Sequence, residues 1–381
     1  MYVVRSRYEQ DWLCTEFDGM NATKQNATLG RDWLIQMGNG ATKSSVTIQY
    51  CMAYPRMVMQ SLEIPAVTQV RASCDYHPGN TDGCSYPYCQ YNIGTSSLLA
   101  YATGLAPSKD NWWSSEHQPG GKFGNATEPY GELGGVITAY STGPVAIGDG
   151  IGFTDVPLVL RACTAASGTL LQPSRPATSI DANFFQAAFG GELGPIPKKK
   201  NVYPVWSTHT VIPVCGSSDC TPTMWGHIIA VNLAAPFAVA PAHLPMDINA
   251  QMEMVQWTGY GPASNISVAG TFSASKPIAL PACAAHDFQL HHVAPVFTLG
   301  SRKLALLGEP SKWVPIAARR IARVTVSDTG GVVAELTGDA GEVVEIAFAE
   351  GSTVLTAKCT LSSAGAATVA VAPNAKAATC S

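Results

Sequence analysis

A carboxylate and a guanidinium lie four residues apart at the end of one predicted strand. Residues 67–70 form a short β-branched run that leads directly into Arg71 and Asp75. A carboxylate at that position suits acid–base chemistry, and an arginine beside it suits orienting the carboxylate or binding a hydroxyl group. A salt bridge with a purely structural role is the alternative for this pair. We predict a functional site that includes Asp75.

The elements that position this pair form a predicted strand–helix–strand unit between residues 44 and 78. A β-branched and aromatic run ends at Tyr50 and is followed by Cys51 and Met52. Residues 57–62 are predicted to be helical, and Pro65 ends that turn. Such an order predicts a right-handed parallel unit. In barrels built from these units, the chemistry lies on loops at the carboxyl ends of the strands.

Strand and helix patterns alternate over residues 1–195. The further predicted elements are a strand that ends around residues 8–12, helices at 29–37, 93–104 and 130–141, and a short buried strand at 144–147. The loops 111–121 and 148–155 between them carry polar side chains. This order is typical of an α/β barrel.

The second half of the chain has a different pattern, which begins after a Pro- and Lys-rich linker at residues 194–200. Its short runs rich in β-branched residues lie at 211–214, 228–231, 321–326, 332–336, 343–348 and 368–371. Glycine-rich turns separate several of these runs, and the spacing is typical of a β-sandwich. We therefore predict two domains, residues 1–195 and 196–381, in a chain that is α/β first and all-β afterwards.

Composition narrows the classes of protein to consider. The chain has 381 residues, a net charge of −4 and a charged fraction of 13%. The slightly acidic balance gives no reason to expect nucleic acid as a partner. No run approaches the roughly 18 uninterrupted apolar residues of a membrane span.

Cysteines and glycosylation sequons together favour a secretory or lysosomal-type route. The chain has 11 cysteines, and its four N-glycosylation sequons begin at Asn21, Asn26, Asn125 and Asn265. Residues 1–10 contain neither the apolar region nor the cleavage site of a signal peptide. We therefore expect that the natural start of the protein lies upstream of Met1.

Two cysteine pairs share the same spacing. Cys84 and Cys89, like Cys215 and Cys220, are separated by four residues, which predicts two disulfides that close local loops. With His227 nearby, the second pair could instead contribute to a zinc site, but a second ligand pair at suitable spacing is not evident. A bond between Cys51 and Cys74 is a further alternative, and the odd total leaves at least one thiol unpaired within the chain.

Several short motifs occur in an order that resembles the raffinose synthase and α-galactosidase branch of the glycoside hydrolases. In the first half these are residues 48–52, 71–78, 141–145 with Asp149, 168–171 and 174–178. Residues 283–290 and 305–314 resemble the β-sandwich that follows the barrel in that branch. The likeness spans most of the chain.

The resemblance implies a retaining glycosidase with a (β/α)8 barrel, of which this chain would contain strands four to eight. The nucleophile would be Asp11 and the acid/base would be Asp75. Relatives usually place a lysine two residues before the nucleophile, where this chain has Glu9. The implied activity is hydrolysis or transfer of α-galactosides or related oligosaccharides, without a cofactor or metal.

Other side chains are candidates for binding the substrate beside the two acids and Arg71. Trp112 and Trp113 could stack on the apolar face of a sugar, and we expect only one of them to contact ligand. Glu116 and His117 could bind hydroxyl groups, although a solvated pair is the default for such residues. Asp149, after the strand predicted at 144–147, resembles a position that lines the pocket.

Two other functions fit the same residues. The chain could be a carbohydrate-binding or scaffold protein that is related to the glycosidases but not catalytic. It could also be an incomplete gene product, because a five-stranded remnant of a barrel would expose unpaired strand edges. If Met1 is the true start, we expect little or no turnover by this chain alone.

Overall fold

The computed structural model describes residues 7–80, 93–120, 123–189, 204–246, 253–284, 286–327, 330–373 and 375–381. Four parallel strands near its beginning form a small sheet in the order β1-β2-β3-β4. These strands are β1 (Arg7–Gln10), β2 (Thr47–Tyr50), β3 (Val67–Arg71) and β4 (Ala106–Ser108).

The described ranges also contain eight α-helices, and those that precede β4 in the chain connect and cover these strands. The helices are α1 (Leu13–Gly19), α2 (Asn21–Gln25), α3 (Leu29–Lys43), α4 (Pro55–Gln60), α5 (Gly94–Ala102), α6 (Gly131–Tyr140), α7 (Val156–Val159) and α8 (Asp181–Phe189). An apolar cluster between the small sheet and its helices includes Leu34 of α3, Met57 of α4 and Ile48 of β2. Gly38 allows α3 to approach closely, because a Cβ there would lie 2.2 Å from Ile64 Cγ2. Burial of these side chains holds the parallel strands in register.

The remaining strands belong mostly to one large sheet. They are β5 (Thr178–Ser179), β6 (Val205–Cys215), β7 (Cys220–Val231), β8 (Phe237–Val239), β9 (Met254–Thr258), β10 (Ser267–Phe272), β11 (Ile278–Leu280), β12 (Phe288–Leu299), β13 (Arg302–Gly308), β14 (Ile321–Val326), β15 (Val332–Thr337), β16 (Val343–Glu350), β17 (Thr353–Thr360), β18 (Ala366–Val371) and β19 (Thr379–Cys380). The main order is β17-β16-β13-β12-β7-β6-β14-β15-β18-β19, with β5 on β6, and β9 with β10 on β12. Strands β8 and β11 pair separately.

A disulfide joins the two ends of this order. Cys359 lies in β17, at one end, and is bonded to Cys380 in β19, at the other. Pairing within the sheet is antiparallel except between β6 and β14, whose Val214 and Val324 are parallel partners. The result is a large, nearly closed mixed sheet around its own apolar core.

The predicted fold class, a partial (β/α)8 barrel followed by an antiparallel β-sandwich, is wrong. The chain is mostly β, with 36% strand against 22% helix, and the described parallel strands form only an open four-stranded sheet. Residues 144–147, predicted as a buried strand, make one isolated bridge from Ile147 to Trp112. Pro144 has no N–H to donate to a ladder, and Ile147 is half exposed, so this segment does not extend the sheet.

The predicted domain boundary stays a prediction, because residues 190–203 lie outside the described ranges. Side chains from both sides of it share one apolar cluster, which includes Trp113, Val136, Ile229 and Trp313. The Tyr140 hydroxyl donates a hydrogen bond to the carbonyl oxygen of Trp313 at 2.6 Å. The first half of the chain therefore packs directly on the large sheet.

Two histidines face each other inside the large sheet. His227 of β7 and His292 of β12 are register partners, and their Nδ1 atoms lie 2.9 Å apart. The Trp257 ring covers His292 at 4.3 Å between centroids, and the Thr210 hydroxyl lies 3.2 Å from His227 Nε2. Burial lowers the pKa of His227 to about 3 and lowers the pKa of His292 well below its usual value. Both rings are therefore neutral in the folded protein.

We expect acid to destabilise the protein through these rings. The unfolded chain takes up protons below a pH of about 6.5, but the buried rings do not, so each histidine costs about 1.4 kcal/mol of folding free energy per pH unit. This loss continues down toward the lowered folded-state pKa. The measurement is the free energy of unfolding by urea between pH 7 and pH 5. A His227→Leu/His292→Leu protein should show a shallower slope, whereas His117→Gln, on the exposed His117, should keep the parental slope. Equal slopes in all three proteins would contradict the explanation.

Candidate functional site

A cavity of about 530 Å³ opens beside the carboxyl ends of the four parallel strands. Its volume lies within the range of roughly 300–1,000 Å³ that is usual for small-molecule sites. Open parallel sheets generally bind ligands at this edge. The lining residues are Asp11, Arg71, Asp75, Tyr76, Asp110, Asn111, Trp113, Gln118, Pro119, Gly120, Phe123, Gly148, Asp149 and Gly150.

Asp11 follows β1 directly and is held in place by its neighbours. The backbone N–H of Trp12 donates to Asp11 Oδ1 at 2.7 Å, and the Cys51 side chain hydrogen-bonds the same carboxylate. Burial, followed by this contact, raises the pKa of the Cys51 thiol, which is therefore protonated. Trp12 (φ 56°) and Met52 (φ 52°) both have the left-handed backbone conformation, which is unfavourable for bulky residues. Backbone strain of this kind clusters at functional sites.

Arg71, the last residue of β3, links two further carboxylates of the cavity. Its Nη2 lies 2.6 Å from Asp75 Oδ1, and its Nη1 lies 3.7 Å from Asp110 Oδ2. Burial opposes the charge of Arg71, but the neighbouring acidic groups, among them Asp110 and Asp75, outweigh it and raise the pKa of the guanidinium. Arg71 therefore makes the salt bridge of the structural alternative and also lines the cavity.

Three aromatic rings form one wall of the cavity. Trp113 lies 6.0 Å from Tyr76 and 5.8 Å from Phe123 between ring centroids, in tilted and edge-on arrangements. Trp112 is 1% exposed and does not line the cavity, because its ring packs on Gly134 and Gly135 of α6. Of the two predicted tryptophans, only Trp113 lines the cavity, and its exposed fraction is 5%.

Polar and charged side chains contact Tyr76, one of the three rings of this wall. The Tyr76 hydroxyl donates to Glu128 Oε2 at 2.7 Å, and the Tyr76 N–H donates to Asp110 Oδ2 at 2.7 Å. Lys109 Nζ lies 4.9 Å from the centre of the Tyr76 ring, and burial lowers its pKa to about 8. Burial likewise raises the pKa of Glu128. These groups position Tyr76 and Asp110.

Asp149 lines the cavity, but its oxygens already have partners. Its carboxylate accepts hydrogen bonds from the Ser114 N–H at 2.8 Å, from the Ser114 hydroxyl and from Gln118 Nε2 at 2.9 Å. Asp149 therefore organises the loop that carries it. Glu116 and His117 do not line the cavity, and they form an exposed pair at 3.9 Å.

Five of the eight predicted site residues line the cavity together: Asp11, Arg71, Asp75, Trp113 and Asp149. Sequence reasoning missed Tyr76, Asp110, Asn111, Gln118 and Phe123. The clearest available signal was that a strand precedes Asp110 and Asn111, but β4 has only three residues, and the central one is Pro107. Proline disfavours a strand prediction.

A disulfide excludes the zinc site that was the alternative for Cys215 and Cys220. Cys215 and Cys220 are bonded to each other, as predicted, across the hairpin between β6 and β7. The pair Cys84 and Cys89 lies outside the described residues. Cys51 is a free thiol whereas Cys74 is disulfide-bonded, so the alternative bond between them is wrong. Within the described part of the chain, no three His, Cys, Asp or Glu side chains converge as metal ligands would.

The helices of the described ranges also lack the length and apolar character of a bilayer-spanning segment. No protein-family model matches the chain, and a search of curated proteins finds no match either.

Proposed function

We propose that the cavity binds a sugar unit and that Asp11 and Asp75 cleave or transfer its glycosidic bond. The observation that carries this proposal is that both acids line one cavity together with Arg71 and the Trp113 wall. Carboxylates and a guanidinium bind hydroxyl groups, while an aromatic ring packs on the apolar C–H face of a pyranose. The resemblance to raffinose synthase and α-galactosidase sequences favours α-galactosides or related oligosaccharides.

The two acids would have different tasks. Asp11 would attack the anomeric carbon as an ionised carboxylate, and the Cys51 thiol and Trp12 N–H would fix its orientation. Asp75 would protonate the leaving oxygen and then activate water or an acceptor sugar. Its side chain is 58% exposed, so it can exchange protons with solvent. Arg71 would orient Asp75 in both steps.

One observation favours a second candidate, carbohydrate binding without catalysis. The Arg71 guanidinium lies 2.6 Å from Asp75 Oδ1, so this carboxylate already has a charged partner within the protein. Glu9, in the place of the usual lysine, adds a negative charge in β1 near the same edge. Under this alternative the cavity would hold an oligosaccharide as a ligand rather than a substrate.

Two measurements on the purified chain separate these candidates. Isothermal titration with galactose and raffinose measures binding, and proton NMR of p-nitrophenyl α-galactoside measures turnover and the anomer that is released first. Turnover with initial release of α-galactose supports the retaining mechanism. Binding without turnover supports the second candidate. The absence of both with these ligands would overturn the proposal.

We also propose that the protein follows a secretory route and carries N-glycans. The two disulfides that join described residues fit an oxidising compartment, and all four sequon asparagines are exposed. Asn26 accepts hydrogen bonds through Oδ1 from the N–H groups of Thr28 and Leu29, an arrangement that leaves its Nδ2 directed elsewhere. After expression in a eukaryotic secretory host, we expect glycan masses at these asparagines that peptide N-glycosidase removes. An unmodified secreted chain would contradict this.

A further inference from the structure

One loop at the mouth of the cavity exposes apolar side chains. In the segment 148–153, Gly148, Asp149 and Gly150 line the cavity, while Ile151 is fully exposed and Phe153 is 48% exposed. Contiguous apolar surface of this kind marks binding sites more often than a single exposed side chain does. Lining the cavity does not by itself account for the exposure of Ile151 and Phe153.

Hydrogen bonds fix this loop in place. Gln118, which is itself buried, accepts a bond from the Gly150 N–H at 2.7 Å and donates to Asp149 Oδ1 and to the Phe153 carbonyl. The Ser115 hydroxyl donates to the same carbonyl at 2.6 Å. A fixed loop loses little conformational entropy when a ligand binds, so its apolar tip is pre-organised for contact.

The acidic side chains on either side of the tip, Asp149 and Asp155, are both held by hydrogen bonds. The Asp149 carboxylate is bound by Ser114 and Gln118, and Asp155 accepts from the Leu158 N–H at 3.0 Å at the start of α7. Between them, residues 150–153 have the sequence Gly-Ile-Gly-Phe, which carries no charge. The side chains of the tip therefore offer apolar contact and carry no polar group that would bind a hydroxyl.

The apolar tip is continuous with the cavity. A Cβ added at Gly150 would lie 3.4 Å from Gln118 Oε1 and 3.7 Å from both Phe153 Cδ2 and Pro119 Cδ, so Phe153 and Pro119 adjoin the cavity lining at Gly150, beside its hydrogen bond to Gln118. A ligand that extends out of the cavity past Gly150 would meet Phe153 and Pro119. The cavity interior therefore suits a polar group of the ligand, whereas this exit suits an apolar group.

We infer that Ile151 and Phe153 form a subsite for an apolar aglycone, the aryl or alkyl group joined to the sugar. This inference rests on the proposed function, because it takes the sugar to occupy the cavity. A ligand with a polar sugar and an apolar aglycone matches the carboxylate-rich interior and the uncharged exit. A second sugar unit, whose hydroxyl groups require hydrogen-bonding partners, matches this exit less well.

Non-hydrolysable ligands test the subsite. Titration of the full chain with galactose and with phenyl 1-thio-α-galactoside gives two dissociation constants. Burial of the phenyl ring should make the thioglycoside bind about 10-fold more tightly. The Ile151→Ser/Phe153→Ser protein should lose this preference and keep its affinity for galactose. Val343→Ser, at an exposed valine of β16, is the control and should change neither constant.

The outcomes are distinguishable. If neither ligand binds the parental chain, the proposed function fails. If galactose binds but the thioglycoside gains nothing, or if the double variant keeps the preference, the subsite is wrong. Sedimentation of the parental chain and the double variant provides a further test. A change in oligomeric state without a change in phenyl preference would make the tip an interface between copies and overturn the inference.

Discussion

Replacing Asp11 by asparagine is expected to lower the turnover of aryl α-galactosides by about 10³-fold or more. Asparagine keeps the shape of the side chain and can still accept the hydrogen bond from the Trp12 N–H, but it lacks the negative charge that the proposed attack on the anomeric carbon requires. The measurement is kcat with p-nitrophenyl α-galactoside, together with a circular dichroism spectrum to confirm folding. Glu116→Gln is the control, because Glu116 is an exposed carboxylate outside the cavity.

Replacing Asp75 by asparagine tests whether the two carboxylates have different catalytic roles. Loss of a general acid and base typically costs about 10²–10⁴-fold. Azide needs no general base, so it should restore turnover in this variant and release α-galactosyl azide. If Asp11→Asn retains full activity in a chain that turns over the substrate, the nucleophile is a different residue. If azide has no effect on Asp75→Asn, Asp75 is not the acid/base.

Replacing Arg320 by methionine is expected to lower the free energy of unfolding by about 3–5 kcal/mol. Arg320 is 1% exposed, and its Nε and Nη2 lie 2.7 Å from Glu309 Oε2 and Glu342 Oε1, respectively. Its Nη1 donates to the Thr337 carbonyl at 2.9 Å. Without the guanidinium, two carboxylates would remain buried with much of their charge uncompensated. The measurement is urea unfolding at pH 7.

The matched control is a neighbouring arginine. Arg323 pairs with Glu335, but both side chains are well exposed, at 49% and 36%, so Arg323→Met should cost no more than about 1 kcal/mol. Replacing Glu309, Arg320 and Glu342 together by apolar residues should restore part of the loss, because no buried carboxylate then remains, and Lys312, which loses Glu309, still donates to the carbonyl oxygens of Leu160 and Cys163. If Arg320→Met and Arg323→Met lower the free energy of unfolding equally, burial does not explain the contribution of Arg320 to stability.

Local patterns predicted the elements around the site but not the way in which the sheets form. Helix α3 has apolar residues on one face, and Pro65 follows the segment of α4, so both helices were predictable. The sheets depend on pairing between distant strands, such as the parallel partners Val214 and Val324. Neither hydrophobic period nor turn residues specify such partners, and the predicted barrel failed for this reason.

For the site and the disulfides, too, local sequence features were predictable and long-range contacts were not. Asp75 follows a clear strand signal, whereas Asp110 follows a three-residue strand that contains Pro107. Cys215 and Cys220 have the short spacing of a local loop, and the sequence predicted their bond. Cys359 and Cys380 are 21 residues apart, and only the curvature of the large sheet brings them together.

The apolar cluster shared between the two halves has a consequence for genetic experiments. Trp113 lines the candidate cavity, yet it belongs to the same cluster as Ile229 and Trp313 of the later half. Interiors are close-packed, so a change of volume at those positions will displace their neighbours. A screen for impaired ligand recognition should therefore recover alleles at positions that never touch the ligand, and their phenotype alone will not identify contact residues.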